Sequence, residues 1–331
     1  MTRSVLVCLI SALFSLPLHA DLAPSATPPA APEASAAQTP AGRAPTLTGI
    51  AYGEHPRQVL NFWKAESATS TAVVVHMHGG GWTNGDRKKT GDKEIERLLA
   101  AGVSYVSISY RLVPQAREAR VSPAVSWPMH DAARAVQFVR SKAAEWNIDK
   151  TRVAMTGTSA GACSSLWVAF HDDLADARSA DPVARESTRL RCVAVDGAQT
   201  SLDPAQMQEW IPNIIYGGHA FGFNSGKAYE ARVAAFAKFL ENRESVREWI
   251  REYSPYDQAT AGDPPVYLYY NNKPSLGQPQ KDATHSANFG VKLKEKLDGI
   301  GVPCELVYPG AAEVRHPTIT DYLIEKLHAG S

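Results

Sequence analysis

The chain has 331 residues, 44% of them hydrophobic and 21% charged, an ordinary globular composition with enough length to bury a large core. Its 34 basic and 34 acidic side chains cancel. The excess of positive charge that draws a protein to nucleic-acid phosphates or an anionic membrane is therefore missing, and neither is an expected partner.

The first twenty residues predict an export signal: Arg3 provides a short positive start, and residues 5–18 form an apolar stretch ending near Leu18-His19-Ala20. That run is too short and too interrupted for a stable membrane span. Cys8 lies inside the apolar stretch rather than at its end, which argues against a lipid anchor. A periplasmic or secreted protein is expected. Residues 21–45 are dominated by Ala, Pro, Ser and Thr; they offer almost no apolar surface to offset the entropy of ordering, so a flexible tether is predicted there. Removal of the signal leaves Cys163, Cys192 and Cys304, with no C-x-x-C pair. The spacing argues against a zinc site or a disulfide framework, and at most one disulfide is possible.

From residue 46 to 331 short β-branched runs alternate with longer amphipathic stretches, the pattern of a mostly parallel sheet with helices on both faces. Strands are predicted at residues 72–78, 103–110, 152–156, 191–196, 266–270 and 304–308. Helical spacing appears at 129–146, where Ala132, Ala133, Val136, Val139 and Ala143 recur on one face. Further helices are expected after Ser159, at 287–297 and at 318–328. Residues 197–264 break this rhythm and are rich in Trp, Ile, Phe and Tyr, among them Trp210, Ile214, Tyr216 and Phe221. An ordered insertion of that length is usually functional, so a small helical cap is expected, the alternative being a peripheral excursion that buries its own aromatics.

Two glycine-rich motifs carry the chemistry. Gly157-Thr158-Ser159-Ala160-Gly161 lies between a β-branched strand and a helical segment. A nucleophile on such a sharp turn needs small neighbours, because its backbone is strained and packs closely on adjacent strands. His78-Gly79-Gly80-Gly81-Trp82 follows directly on the strand at 72–78. Consecutive glycines leave backbone N–H groups open to a ligand, which is what an oxyanion hole requires.

With both motifs in this order, the chain resembles the α/β-hydrolase superfamily, and more closely its hormone-sensitive-lipase-like and feruloyl-esterase-like carboxylesterases, over residues 47–327. Trp82 followed by Gly85-Asp86 is similar to the feruloyl-esterase-like group. The resemblance implies an α/β-hydrolase fold with oxyanion donors at Gly80, Gly81 and Ala160, and a structural role for His78. It also implies a histidine base on the loop after the last strand, which among ten histidines selects His316. The acid is expected after the strand at 266–270, but the short Gly-x-x-Asp turn of the family is absent. A longer loop runs to Asp282 instead, just ahead of His285. Asp282 takes the orienting role, with Asp196 as its competitor.

These residues predict two-step acyl transfer by a Ser-His-Asp triad on a small-molecule or polymer-linked ester, carrying short, medium, acetyl or feruloyl acyl groups, without metal or organic cofactor. The competing readings are a peptidase or amidase on the same scaffold and a non-catalytic binding module. Oligomeric state is not legible.

Overall fold

The short β-branched runs pair into one eight-stranded sheet in the computed structural model, which describes residues 43–88, 90–224, 226 and 228–329. The export signal and residues 21–42 of the tether lie outside the described residues. The strands are β1 (Leu47–Ala51), β2 (Val59–Trp63), β3 (Thr71–Met77), β4 (Val103–Ile108), β5 (Ile148–Thr158), β6 (Cys192–Asp196), β7 (Val266–Tyr269) and β8 (Cys304–Val307). Their spatial order is β1-β2-β4-β3-β5-β6-β7-β8. The first two strands pair antiparallel, β2 is antiparallel to β4, and β3 to β8 all run parallel.

Burial on both faces explains the near-continuous apolar strands. In β3, Val73, Val75 and Met77 join one cluster with the helices Ser126–Ser141, Ala160–Phe170 and Asn288–Gly299. The alternate residues Ala72 and Val74 face the other cluster, closed by the helices Asp92–Ala100 and Ile319–His328. The period of two therefore sorts each strand between two cores. The residue pattern does not single out β1, β2 or Asp92–Ala100: β1 and β2 are five residues each, and β1 is half exposed. The helix expected over 129–146 starts earlier, at Ser126, and is interrupted at Lys142.

Residues 197–264 hold the helices Pro204–Trp210, Tyr229–Glu241, Arg247–Tyr253 and Pro255–Gln258. Asp203 caps the first, accepting from the Ala205 and Gln206 N–H groups, and its carboxylate is clamped by Arg243 at 2.6 Å. Trp210, Ile211, Ile214, Phe221 and Phe239 are buried in the same cluster as β3 and β5. The segment is thus packed into the main core through its aromatics. Among the described residues no helix is long and apolar enough to cross a membrane.

Candidate active site

Between β5 and the helix Ala160–Phe170 the chain turns at Ser159, whose backbone sits at φ 56°, ψ −124°. A non-glycine residue holds such a conformation only when its surroundings impose it. They do so here through contact. A Cβ on Gly157 would lie 2.6 Å from the backbone of Gly161, and one on Gly161 would lie 2.1 Å from the Met77 carbonyl oxygen. Only hydrogen fits at either position. The Ser159 N–H donates to the Asp196 carbonyl at 2.9 Å, fastening the turn to the end of β6.

The histidine that meets Ser159 is His285. Its Nε2 lies 2.9 Å from Ser159 Oγ, and its Nδ1 lies 2.8 Å from Asp282 Oδ2. A carboxylate opposite Nδ1 keeps the proton on that nitrogen and leaves the Nε2 lone pair to accept from the serine hydroxyl. Both residues occupy the loop between β7 and the helix Asn288–Gly299. Its backbone is tied down by the Gln199 amide on the Thr284 carbonyl at 2.7 Å, by the Asn272 amide on the His285 carbonyl at 2.9 Å, and by Asn272 Oδ1 accepting from the Ala287 N–H at 2.9 Å. Buried Asn288 links the same loop to the Trp210 carbonyl at 2.8 Å.

The assignment of the base to His316 is corrected by this geometry. His316 does follow β8, but its ring is 5% exposed and both nitrogens are taken: Nδ1 lies 2.8 Å from Glu305 Oε2 and Nε2 lies 2.7 Å from Glu325 Oε2. It packs edge-on against Tyr322 and clamps the terminal helix to β8. Hydrogen bonding from His316 holds the Glu325 carboxyl down at about 2, well below its ordinary 4.5. Asp282 stands where an orienting acid is needed, though on His285. Its competitor Asp196 lines an adjoining cavity of about 420 Å³ with Thr156, Tyr269 and Thr320, not the space that holds Ser159 and His285. It accepts no side-chain hydrogen bond among the described residues, and burial raises its pKa against a smaller opposing pull from His285.

After β3 the glycine run coils back towards the serine. Gly80 and Gly81 have φ of 112° and 59°, and a Cβ on Gly79 would lie 2.7 Å from the Thr158 carbonyl oxygen. The Gly80 carbonyl accepts from Thr83 N–H at 3.0 Å and from the Asn84 amide at 3.2 Å; the Gly81 carbonyl accepts from His219 Nε2 at 2.9 Å. No backbone hydrogen bond engages the Gly80 or Gly81 N–H among the described residues. The Ala160 N–H opens a helix and so has no partner one turn back. His78 stacks on Tyr110 with ring centroids 4.3 Å apart, and its Nδ1–H donates to the Gly79 carbonyl at 2.7 Å. Its contacts are those of a loop support. Gly79, Gly80, Gly81, Ser159, Asp282 and His285 line one open cleft of about 700 Å³, with Tyr216 and Arg232 from the 197–264 segment in its wall.

The family model BD-FAE matches residues 61–283, more than half of the chain. The chain belongs to the BD-FAE family. Two solved structures align over most of their length and show the α/β-hydrolase fold. One is an acetyl ester-xyloside bifunctional hydrolase from Caldicellulosiruptor lactoaceticus, with TM-score 0.55 and 24% identity over 76% of each chain. The other is a truncated carbohydrate esterase from gut microbiota, with TM-score 0.61 and 18% identity over 85% of this chain and 95% of that one. A curated relative, the probable carboxylic ester hydrolase LipM of Mycobacterium tuberculosis, is 33% identical over 118 residues, 34% of this chain and 25% of that protein. The chain thus spans about a quarter of the length of the curated relatives it matches.

The BD-FAE match ends at residue 283, two positions before His285. The family position therefore gave no pointer to this histidine. One signal was present in the residues: Asp282 and His285 stand three apart on a loop that leads into a helix, close enough for the carboxylate to reach the ring. Tyr216 and Arg232 could not be read as site residues, since only the packing of the 197–264 segment carries them to the cleft. Cys163, Cys192 and Cys304 are all free thiols. Among the described residues no group of three or more His, Cys, Asp or Glu is placed to hold a metal ion.

Proposed function

We propose that this BD-FAE protein hydrolyses carboxylic esters through Ser159, His285 and Asp282. The observation that carries the reading is the unbroken line from Asp282 Oδ2 through the His285 ring to Ser159 Oγ, at 2.8 and 2.9 Å. His285 takes the hydroxyl proton as Ser159 Oγ attacks the ester carbonyl carbon, and returns it to the departing alcohol as the tetrahedral intermediate collapses to an acyl-serine. Water then attacks the acyl-serine with the same histidine as base, releasing the acid and restoring the hydroxyl. The N–H groups of Gly80, Gly81 and Ala160 are the donors offered to the oxyanion, where one such bond is worth roughly 3 kcal/mol of transition-state stabilisation. Asp282 keeps the imidazole in the required tautomer and stabilises its charged form.

The substrates proposed are short or medium acyl, acetyl or feruloyl esters. An open cleft of about 700 Å³ favours this range, as do the esterase names of the relatives. The N-terminal pattern of Arg3 and the apolar run after it supports a periplasmic or secreted site of action. The test is hydrolysis of p-nitrophenyl esters from acetate to palmitate, together with methyl ferulate and acetylated xylan, by wild type and Ser159→Ala. Turnover of at least one substrate should fall by about 10⁴-fold or more in the variant. Undiminished turnover in Ser159→Ala, or silence of the wild type on every ester, would overturn the proposal.

A further inference from the structure

Beside the catalytic cleft lies a second pocket of about 270 Å³, lined by Arg117, Tyr216, His219, Asn224 and Arg232 among others. Gly81, Tyr216 and Arg232 line both spaces, so the pocket adjoins the cleft at the glycine run. Among the described residues its two charged side chains are both guanidinium groups, brought together from distant parts of the chain. Arg117 is in the last turn of the helix Val113–Glu118, and Arg232 is in the first turns of Tyr229–Glu241.

Neither guanidinium forms an ion pair or a side-chain hydrogen bond among the described residues, although Arg232 is half-buried. Their acidic sequence neighbours Glu118 and Glu230 pair with neither. Most other arginines here are answered by an acceptor: Arg111 by Asp131 at 2.6 Å, Arg134 by Asp181 at 2.7 Å and Arg243 by Asp203 at 2.6 Å. His219 contributes no charge of its own. Burial first, and then the two guanidiniums, push its pKa down to about 4, and it serves as a neutral donor to the Gly81 carbonyl. The pocket is therefore a cationic recess in a protein with no net charge. A partly desolvated guanidinium gains most from a carboxylate that its fork of N–H donors can grip in two places.

We infer that Arg232 and Arg117 form an anion subsite that selects esters carrying a carboxylate on the acyl or the alcohol part. This rests on the ester-hydrolase reading of the adjacent cleft and deepens it by naming the substrate class. The carboxylate would sit between the two guanidiniums while the ester carbonyl is presented to Ser159.

The experiment compares matched substrates: p-nitrophenyl hemisuccinate against p-nitrophenyl butyrate for a carboxylate on the acyl side, and 4-acetoxybenzoate against 4-acetoxybenzamide for one on the alcohol side. The readout is the ratio of kcat/KM for the anionic ester to that for the neutral one, in which general damage to the enzyme cancels. On at least one pair Arg232→Gln should lower this ratio by about 10-fold or more, Arg232→Lys should restore part of it, and Arg117→Gln should lower it in the same direction. Arg120→Gln, which removes an equal charge outside the pocket, should leave the ratio as in wild type. Flat ratios across the Arg232 and Arg117 variants would overturn the subsite. In parallel, succinate and benzoate are titrated calorimetrically into Ser159→Ala and into the Ser159→Ala, Arg232→Gln double variant. If no ester is turned over, this titration decides: binding lost with Arg232 retains the anion site while the ester-hydrolase reading fails, and no Arg232-dependent binding rejects both.

Discussion

Replacing His285 and His316 separately by alanine distinguishes the two possible bases, and the structure sets opposite expectations for them. His285 is the ring that touches Ser159 Oγ, at 2.9 Å. Without it the hydroxyl has no acceptor for its proton, and removal of one member of such a triad lowers kcat by about 10⁴–10⁶-fold, or roughly 5–8 kcal/mol of barrier. The ring is 35% exposed and its neighbour Asp282 is 55% exposed, so the folded state should scarcely notice the change. His316 is 5% exposed and bridges Glu305 to Glu325, so its loss unpins the terminal helix. His316→Ala should lower the melting temperature by roughly 3–10 °C while retaining kcat within about 3-fold below the transition. The assay is steady-state hydrolysis of a p-nitrophenyl ester at 25 °C, with thermal unfolding followed by circular dichroism. A folded His316→Ala that has lost activity a thousandfold, beside an active His285→Ala, would refute the assignment.

Three further outcomes are expected. Asp282→Asn should reduce kcat by about 10²–10⁴-fold, because a neutral amide neither fixes the tautomer nor stabilises the charged imidazole, whereas Asp196→Asn should cost under about 3-fold, since it lines the adjoining cavity; the reverse ranking in kcat would move the acid to Asp196. Gly161→Ala should cost about 3 kcal/mol or more in denaturant unfolding, because its Cβ would meet the Met77 and His78 carbonyl oxygens at 2.1 and 2.7 Å; Gly299→Ala, with open space around a helical position, should be neutral or slightly stabilising. The depressed Glu325 carboxyl contributes stability that is present above its ordinary 4.5 and lost as the pH falls towards about 2. The gap in melting temperature between wild type and His316→Gln should accordingly narrow from pH 4.5 to pH 2, and a gap that stays constant would exclude the linkage.

Much of the architecture was legible because its physical cause is local. The central parallel strands β3, β4 and β6 announce themselves as apolar, β-branched runs, since they are buried on both faces. The elbow at Ser159 and the coil at Gly79 to Gly81 require residues without a Cβ, so their glycines can be recognised before the contacts are known. Asp282 stood out as a carboxylate on the loop after β7 and before a helix, but as the partner of His316, whereas it faces His285. The amino-acid sequence by itself therefore determined the α/β architecture, the strained turn that presents Ser159, the glycine run beside it and the loop that carries Asp282.

The partner of the serine was decided only by the tertiary structure. His285 and His316 both lie on loops that lead from a strand into a helix, and although Asp282 stands three residues from His285, that spacing alone does not say which ring will reach Ser159 and which will turn back between Glu305 and Glu325. That choice depends on the path of the β7-to-helix loop, which Asn272 braces from within and which is tied to distant parts of the chain by Gln199 and by the bond of Asn288 to the Trp210 carbonyl. The same is true of Arg117 and Arg232, more than a hundred positions apart, which tertiary packing places in the lining of one pocket. Local conformation is governed by neighbours along the chain, whereas the meeting of side chains is governed by packing between elements, and the residues alone do not encode it in any short pattern.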